Sequence, residues 1–389
     1  MAERDILFEG DILADKVENV EDLSVISLFS GAGGLDLGLE QAGFTLSLCV
    51  EKDTVRCKTL LANRPLWNVI NADIRRYSGK ELLKEAGLSR GKVTLVAGGP
   101  PCQPFSKSAF WVQDRLNRIL ADPRTALLGE YSRVVKETLP FAFIMENVPG
   151  LAYRPSRPVL DALLKRFSKY GYHVSWQTVN AVNYGVPQKR ERLFLVGVRG
   201  HSIFRFPGPT HSPAENRGRS PELSPHVTAG DAISDLDDGK VKEVERVRGK
   251  WGYLLEQIPP GKNYLHLTKR RGTTAPIFRW RSRYWSYLLK LSPVQPSWTI
   301  QAHPGTYVGP FHWRNRRLRI PEIMRLQSFP DTWKLDGSVR QQWAQVGDAV
   351  PPLLANRLGK SLIRQLNLKT GATTDSGRIH LRQKALTQI

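Results

Sequence analysis

Three cysteines occur in the 389-residue chain: Cys49, Cys57 and Cys102. Cys49 lies in the apolar run from Leu46 to Val50 and Cys57 in a helical pattern, so both read as small core fillers. Cys102 stands in Gly98-Gly99-Pro100-Pro101-Cys102-Gln103-Pro104-Phe105-Ser106, directly after the apolar run Val93-Thr94-Leu95-Val96-Ala97. Two glycines and two prolines predict a turn that carries the thiol beyond the end of a strand, where a structural cysteine is uncommon. A second apolar run, Phe141-Ala142-Phe143-Ile144-Met145, leads into Glu146-Asn147-Val148-Pro149-Gly150 at the same edge. A nucleophile and a carboxylic acid are thus expected to face one cavity. No C-x-x-C pair and no Cys/His ligand spacing is present, so neither a disulfide framework nor a metal site is expected.

A second set of residues suits a small-molecule cofactor. Ser27-Leu28-Phe29-Ser30-Gly31-Ala32-Gly33-Gly34-Leu35-Asp36 places glycines between a strand and a helix, where a ligand can approach the backbone. A tight turn would use the same residues. A dinucleotide fingerprint would have glycine at Asp36, where a carboxylate would repel a pyrophosphate. Glu51 closes the second strand, where a carboxylate takes two ribose hydroxyls. Asp73, in Asn71-Ala72-Asp73-Ile74, is placed to accept from an adenine amine. Adenosine without phosphates points to S-adenosylmethionine. Further on, Gln188-Lys189-Arg190-Glu191-Arg192 offers two arginines on one side of a strand, if the strand has begun there. They could hold a base carbonyl or a phosphate and favour a Cys102 thiolate; an edge-strand solubility pattern would look the same.

These residues need a scaffold. Strands are expected at 25–29, 46–51, 93–97, 141–145, 173–179 and 193–198, with helices at 35–42, 54–63, 124–137 and 159–170. Apolar strands alternating with helices predict an α/β domain around a parallel sheet, with ligands beyond the strands' carboxyl ends. Residues 200–310 are rich in Pro, Gly, Ser, Arg and aromatics and read as a second, irregular domain. Helical patterning returns at 321–327 and 352–366.

The formal net charge is +21, which favours a polyanionic partner through counterion release. The first 24 residues are acid-rich. The excess lies from about 190 to 290 and in Trp313-Arg314-Asn315-Arg316-Arg317-Leu318-Arg319. Arginines interleaved with aromatics, as in Phe278-Arg279-Trp280-Arg281-Ser282-Arg283-Tyr284-Trp285, suit nucleic acid. No apolar stretch of membrane-spanning length occurs, and residues 1–5 lack a signal-peptide pattern, so a cytoplasmic protein is expected.

A thiolate and an acid near a nucleic acid match one reaction. Carbon 5 of cytosine is too electron-poor to attack a methyl donor. Thiolate addition at carbon 6 makes an enamine whose carbon 5 is nucleophilic, and an acid at ring nitrogen 3 stabilises the developing charge. Glu146 would need a raised pKa in a closed site.

The ordered motifs Phe29-Ser30-Gly31-Ala32-Gly33-Gly34, Glu51, Asp73, Pro101-Cys102-Gln103, Glu146-Asn147-Val148 and Gln188-Lys189-Arg190-Glu191-Arg192 resemble those of the DNA (cytosine-5-)methyltransferases of bacterial restriction–modification systems. Arg325-Leu326-Gln327-Ser328-Phe329-Pro330 and Gly347-Asp348-Ala349-Val350-Pro351-Pro352 continue the match, which spans about 24–199 and 296–360. The resemblance implies a Rossmann-like S-adenosylmethionine-dependent domain with a smaller target-recognition domain. It implies Cys102 as nucleophile, Glu146 on the base edge, and Arg190 and Arg192 in the base pocket. It assigns Phe29, Ala32, Gly33, Gly34, Leu35, Glu51, Asp73, Ile74, Pro101 and Asp348 to the methyl donor. Residues 106 to about 124 would form a loop closing over a flipped cytosine. The implied organisation is an extension at 1–23, a catalytic domain at 24–199, target recognition at 200–343, a return segment at 344–370 and a basic tail at 371–389. A monomer acting on duplex DNA is expected, alongside a cognate endonuclease where one exists. One departure stands out: the family usually has Asn where this chain has Asp348, which adds negative charge beside a cationic donor. An RNA-directed enzyme of the same fold and an inactive DNA-binding module are the alternatives. Pro-Cys-Gln and the long Arg/aromatic stretch favour DNA, and the intact Cys102, Glu146 and Arg192 favour activity.

Overall fold

The computed structural model describes residues 23–101, 105, 122–200, 202–216, 221–269, 276–278 and 285–368. Cys102, residues 106–121 of the expected loop, the arginines of 279–284, residues 1–22 and the 371–389 tail lie outside the described residues.

Eight strands build the first part of the chain: β1 (Ser24–Leu28), β2 (Thr45–Glu51), β3 (Val69–Asn71), β4 (Leu95–Gly98), β5 (Ala142–Asn147), β6 (Tyr172–Asn180), β7 (Gln188–Lys189) and β8 (Glu191–Arg199). Seven of them form one sheet in the order β3-β2-β1-β4-β5-β8-β6. Chain order reverses between β1 and β4, and at that switch point the carboxyl ends of the strands leave a crevice. β1 to β5 are parallel, but β8 runs antiparallel to both β5 and β6. That departs from the expected all-parallel sheet. The reason is connection length: residues 181–190 between β6 and β8 hold only a short 3-10 turn and β7, too little chain for a parallel crossover.

Strand side chains alternate between two cores, as a period of two requires. Val25, Leu95, Ile144 and Val196 enter one core with Leu35 and Leu39 of α1 (Gly34–Ala42). Ile26, Val96, Phe143 and Leu195 enter the other. Beyond the second face lie α3 (Gly79–Ala86), α4 (Ala126–Thr138) and α5 (Arg157–Lys169), which contribute Leu82, Tyr131, Val135, Leu163 and Phe167. Each such large apolar side chain, fully buried, contributes about 1.5–3 kcal/mol. α2 (Thr54–Asn63) follows β2 and is capped by Asp53, whose side chain accepts from the amides of Val55 and Arg56. α3 is absent from the sequence expectations, although Ser78-Gly79-Lys80-Glu81 is a capping box that marks its start.

Three further helices close the chain: α6 (Ile320–Leu326), α7 (Val339–Asp348) and α8 (Pro352–Gln365). α8 returns to lie against α1, with Leu354, Leu358 and Leu362 in the first core. The boundary expected between 343 and 344 falls inside α7. A third cluster joins Ala32 and Leu37 to Ile300, Ile323, Phe329, Val346 and Ala349, so the later helices share a core with the glycine loop. A fourth cluster, including Leu254, Tyr264, Phe278 and Phe311, gives the irregular region a core of its own.

The arginine run at 313–319 serves this region internally, against the expectation that it faces nucleic acid. Arg316 is fully buried and bonds Glu322 through both terminal nitrogens, at 2.6 and 2.9 Å. Arg314 pairs with Asp237, and Arg319 with Glu245 and Asp238. A region poor in regular secondary structure leaves backbone carbonyls to be satisfied by side chains, and Arg316, Arg317 and Arg319 also donate to those of Arg317, Thr306, Leu236 and Lys240. No described helix is long and apolar enough to cross a membrane.

Candidate active site

The described residues on either side of Cys102 are held in place. Pro100 and Pro101 line a cavity of about 380 Å³ at the carboxyl edge of the sheet, within the usual size range of small-molecule sites. The Asn147 side chain donates to the Pro100 carbonyl at 3.2 Å. Phe105 is fully buried in the second core, and its carbonyl presses so closely on Gly150 that any side chain there would collide. Three residues therefore separate two fixed points, Pro101 and Phe105, with Cys102 directly after the first.

Glu146 enters the same cavity from within β5, which extends past Met145 to Asn147, beyond the expected strand end. A Cβ at Gly99 would sit 2.8 Å from its Oε2, so glycine there leaves room for the carboxyl group. Burial raises the pKa of Glu146; Arg192, whose Nε lies 2.8 Å from Oε1, pulls the other way without cancelling it. Arg192 lines the cavity, pointing in from the start of β8.

Arg190 takes a different position from the one expected. It precedes β8, and its side chain is fully buried away from the cavity lining. Its terminal nitrogens donate to the carbonyls of Ile300, Gly347 and Ala349 at 3.1, 2.7 and 3.0 Å. The regular strand starts only at Glu191, so the two arginines do not share a strand face. Arg190 clamps the return segment, and Arg190→Met should lower unfolding free energy by at least ~3 kcal/mol by leaving three buried carbonyls short of a donor. Chemical denaturation checks this; an unchanged midpoint with reduced activity would instead place Arg190 at the base. Gln188 and Gln327 extend the clamp: Gln188 donates to the carbonyl of Leu326 and accepts from the amide of Ile300, and Gln327 donates to the carbonyl of Ala349.

On the far side of the cavity stand most of the residues expected to hold a cofactor. Phe29, Ala32, Gly34, Leu35, Glu51, Asp73, Ile74 and Asp348 all line it. Phe29 adopts a left-handed backbone with φ of 57°, unusual for a bulky residue and a local strain at the loop's entry. Glu51 accepts from the amides of Gly31 and Asp53, at 2.8 and 2.9 Å, which fixes its carboxylate at the mouth of the loop. Asp73 is bonded by both oxygens to Arg75, which holds its carboxyl down at about 2. Gly33 is the exception. A Cβ there would meet Leu60 at 2.7 Å and Trp333 at 3.0 Å, so it packs away from the cavity and its φ of 79° serves the turn.

Asp36 lies behind the loop and away from the cavity, so it has no bearing on which ligand enters. It is fully buried, accepts from the Ser27 hydroxyl, and its Oδ2 has no hydrogen-bond partner. Burial pushes its carboxyl up to about 7, with Ser27 and Ser30 opposing. A folded-state pKa above the ordinary value means that ionisation opposes folding. The contribution of Asp36 to stability should be most favourable below about pH 4 and decline towards pH 7, by an amount on the order of 4 kcal/mol at most. Asp36→Asn should remove most of that slope, and a series of denaturation curves from pH 5 to 8 reads it directly.

Two cavity features have no counterpart in the sequence expectations. Arg56 lines it and pairs with Asp348 at 2.6 Å, a partner 292 residues away that no local pattern could supply. Asn147, fully buried behind the lining, belongs to the Glu146-Asn147-Val148 motif, but its hold on the Pro100 carbonyl depends on how the strands are set side by side.

A doubly wound sheet with a glycine loop after β1 and acids after β2 and β3 defines the class of nucleoside-binding α/β enzymes, and the opposed Pro101 and Glu146 edges narrow it. A sequence profile of the C-5 cytosine-specific DNA methylases matches residues 23–364, and the chain belongs to that family. It is similar to the Type II methyltransferase M.SacI of Streptomyces achromogenes, with 42% identity covering 89% of this chain and 94% of the relative. The Type II methyltransferase M.PspPI of a Psychrobacter species is 35% identical, covering 90% and 81%. Among solved structures, a putative DNA modification methyltransferase encoded within an Escherichia coli prophage superposes with a TM-score of 0.62 at 24% identity, over 89% of this chain and all of that one. Its likeness supports the fold. The chain is therefore a DNA cytosine-5 methyltransferase of the bacterial restriction–modification type, and the RNA-directed alternative falls away.

Proposed function

We propose that the chain transfers the methyl group of S-adenosylmethionine to carbon 5 of a cytosine swung out of duplex DNA, through a covalent adduct on Cys102. One observation carries this reading: a single cavity is lined both by Glu51 and Asp73, suited to adenosine, and by Pro101, Glu146 and Arg192, suited to a base. The donor would supply an electrophilic methyl on a sulfonium, with Glu51 on the ribose, Asp73 towards the adenine amine and Phe29 against the ring. The residues fit that group, since two acids and the open backbone at Gly31 line one cavity.

Cys102 attacks carbon 6 as thiolate while Glu146 shares a proton with ring nitrogen 3, so that negative charge does not accumulate on the ring. Arg192 orients Glu146 and holds the base carbonyl. Carbon 5 would then take the methyl as the sulfonium–methyl bond breaks and the donor leaves as a neutral thioether; loss of the carbon 5 proton to a base expels the thiolate from carbon 6, and the shared proton returns to Glu146. Residues 200–343 read the target sequence. Lys189, 4.9 Å from the Trp298 ring, and the half-exposed Trp285 beside that ring give a cationic aromatic platform for nucleic acid. A role in shielding host DNA from a cognate endonuclease accords with the similarity to Type II methyltransferases. Chemical sequencing of DNA from cells expressing the chain should reveal 5-methylcytosine at one recurring site. Unmodified cytosine throughout, from soluble protein, would overturn the reading.

A further inference from the structure

The cavity contains one pair of opposite charges that neither the base site nor the adenosine acids use. Arg56, in the first turn of α2, reaches across to Asp348 at the end of α7, with Nη2 2.6 Å from Oδ2. Both side chains line the cavity and are partly open to it, at 24% and 38% exposure. The Arg56 backbone is fixed by the Asp53 cap, and its other terminal nitrogen lies 3.7 Å from where a Gly31 side chain would begin. The pair thus frames the glycine loop. Other arginines around the cavity are committed elsewhere: Arg192 to Glu146 and Arg124 to Asp122, which is outside the lining.

We propose that Arg56 and Asp348 form the receptor for the zwitterionic amino-acid end of the methyl donor, the guanidinium taking its α-carboxylate and the aspartate its α-ammonium. This rests on the reading that the cavity holds S-adenosylmethionine. The charges match: a donor end with one carboxylate and one ammonium meets one cation and one anion, and no net charge is added to a half-buried site. Before binding, each protein charge satisfies the other, which avoids an unpaired ion next to Glu51 and Glu146. A planar guanidinium also meets a carboxylate through two parallel bonds. The same pairing accounts for Asp348 where the family usually has Asn: its charge is balanced by Arg56 in this chain.

The test is calorimetric binding of three probes to the full chain. They are S-adenosylhomocysteine, methylthioadenosine (which lacks the amino-acid end) and decarboxylated S-adenosylmethionine. Arg56→Ala should weaken S-adenosylhomocysteine about tenfold or more, the loss of one charge-assisted contact. It should leave methylthioadenosine and the decarboxylated probe nearly unchanged. Asp348→Ala should weaken the decarboxylated probe as well, because its ammonium remains. Retained methylthioadenosine binding also shows that each variant is folded. The proposal fails if Arg56→Ala weakens all three probes alike, if it leaves S-adenosylhomocysteine unaffected, or if Lys52→Ala carries the loss instead. Wild-type chain that binds none of the probes would overturn the donor-site reading itself, a distinct outcome.

Discussion

Cys102→Ala should reduce methyl transfer by ~10⁴-fold or more, the scale seen when an enzyme loses its nucleophile, while DNA and donor binding persist. The reason is chemical rather than geometric. Without sulfur addition at carbon 6, carbon 5 stays electron-poor, and no arrangement of acid and donor makes it a nucleophile. Pro101 lines the cavity and Phe105 is buried in the second core, so both flanks of the cysteine stay anchored in the variant and the fold should be kept. The measurement has two parts. Tritiated methyl transfer reads the rate, and DNA carrying 5-fluorocytosine reads the adduct, because a carbon 5 that cannot lose a proton traps the carbon–sulfur bond. Wild-type chain should give a band resistant to denaturation, and Cys102→Ala none. A variant that methylates at the wild-type rate would end the covalent mechanism. A wild-type chain that binds DNA yet forms no adduct would favour the inactive DNA-binding alternative.

The second large effect concerns Glu146. Glu146→Gln should lower kcat by ~10²–10⁴-fold, the usual worth of a positioned acid, with little change in donor affinity. Burial holds the pKa of this carboxyl above its ordinary value even though Arg192 opposes it. A group that must give a proton to ring nitrogen 3 works only while protonated. Activity carried by Glu146 therefore falls as pH rises through its raised pKa, and the glutamine variant should lose that alkaline limb along with most of its rate. A pH–rate profile of kcat on a pre-formed DNA complex separates this from a binding defect. Should the variant retain both rate and limb, Glu146 would be a structural partner of Arg192 and no acid.

Arg190 and Arg192 illustrate how far residue type and spacing carry. Both arginines were legible as an alternating pair, but alternation implies a shared face only inside a strand, and β8 begins at Glu191 between them. One enters the cavity and the other is buried against three carbonyls from residues 300, 347 and 349. The same gap between composition and placement appears at 313–319. A run of arginines beside aromatics has the makeup of a nucleic-acid surface, yet Glu322 and the sequence-distant Glu245 draw Arg316 and Arg319 inward, while Asp237 pairs with Arg314 at the surface. Asp36 shows it too, since a carboxylate in a glycine loop reads as facing the ligand until its burial behind Ser27 is known.

By itself, the sequence determined the turn that leads to Cys102, the acid at position 146, the alternating strands and helices, and the motifs that carry family membership. These are local properties: backbone restriction by glycine and proline, and side-chain periods of 2 and 3.6, act within a few residues. Tertiary structure alone decided the antiparallel run of β8, the burial of Arg190 and Gly33, and the meeting of Arg56 with Asp348. Each depends on which distant segment arrives beside which, and a separation of 292 residues leaves no periodic trace of such a contact. An ion pair or a buried carbonyl is made by packing, and packing is set by the whole core at once.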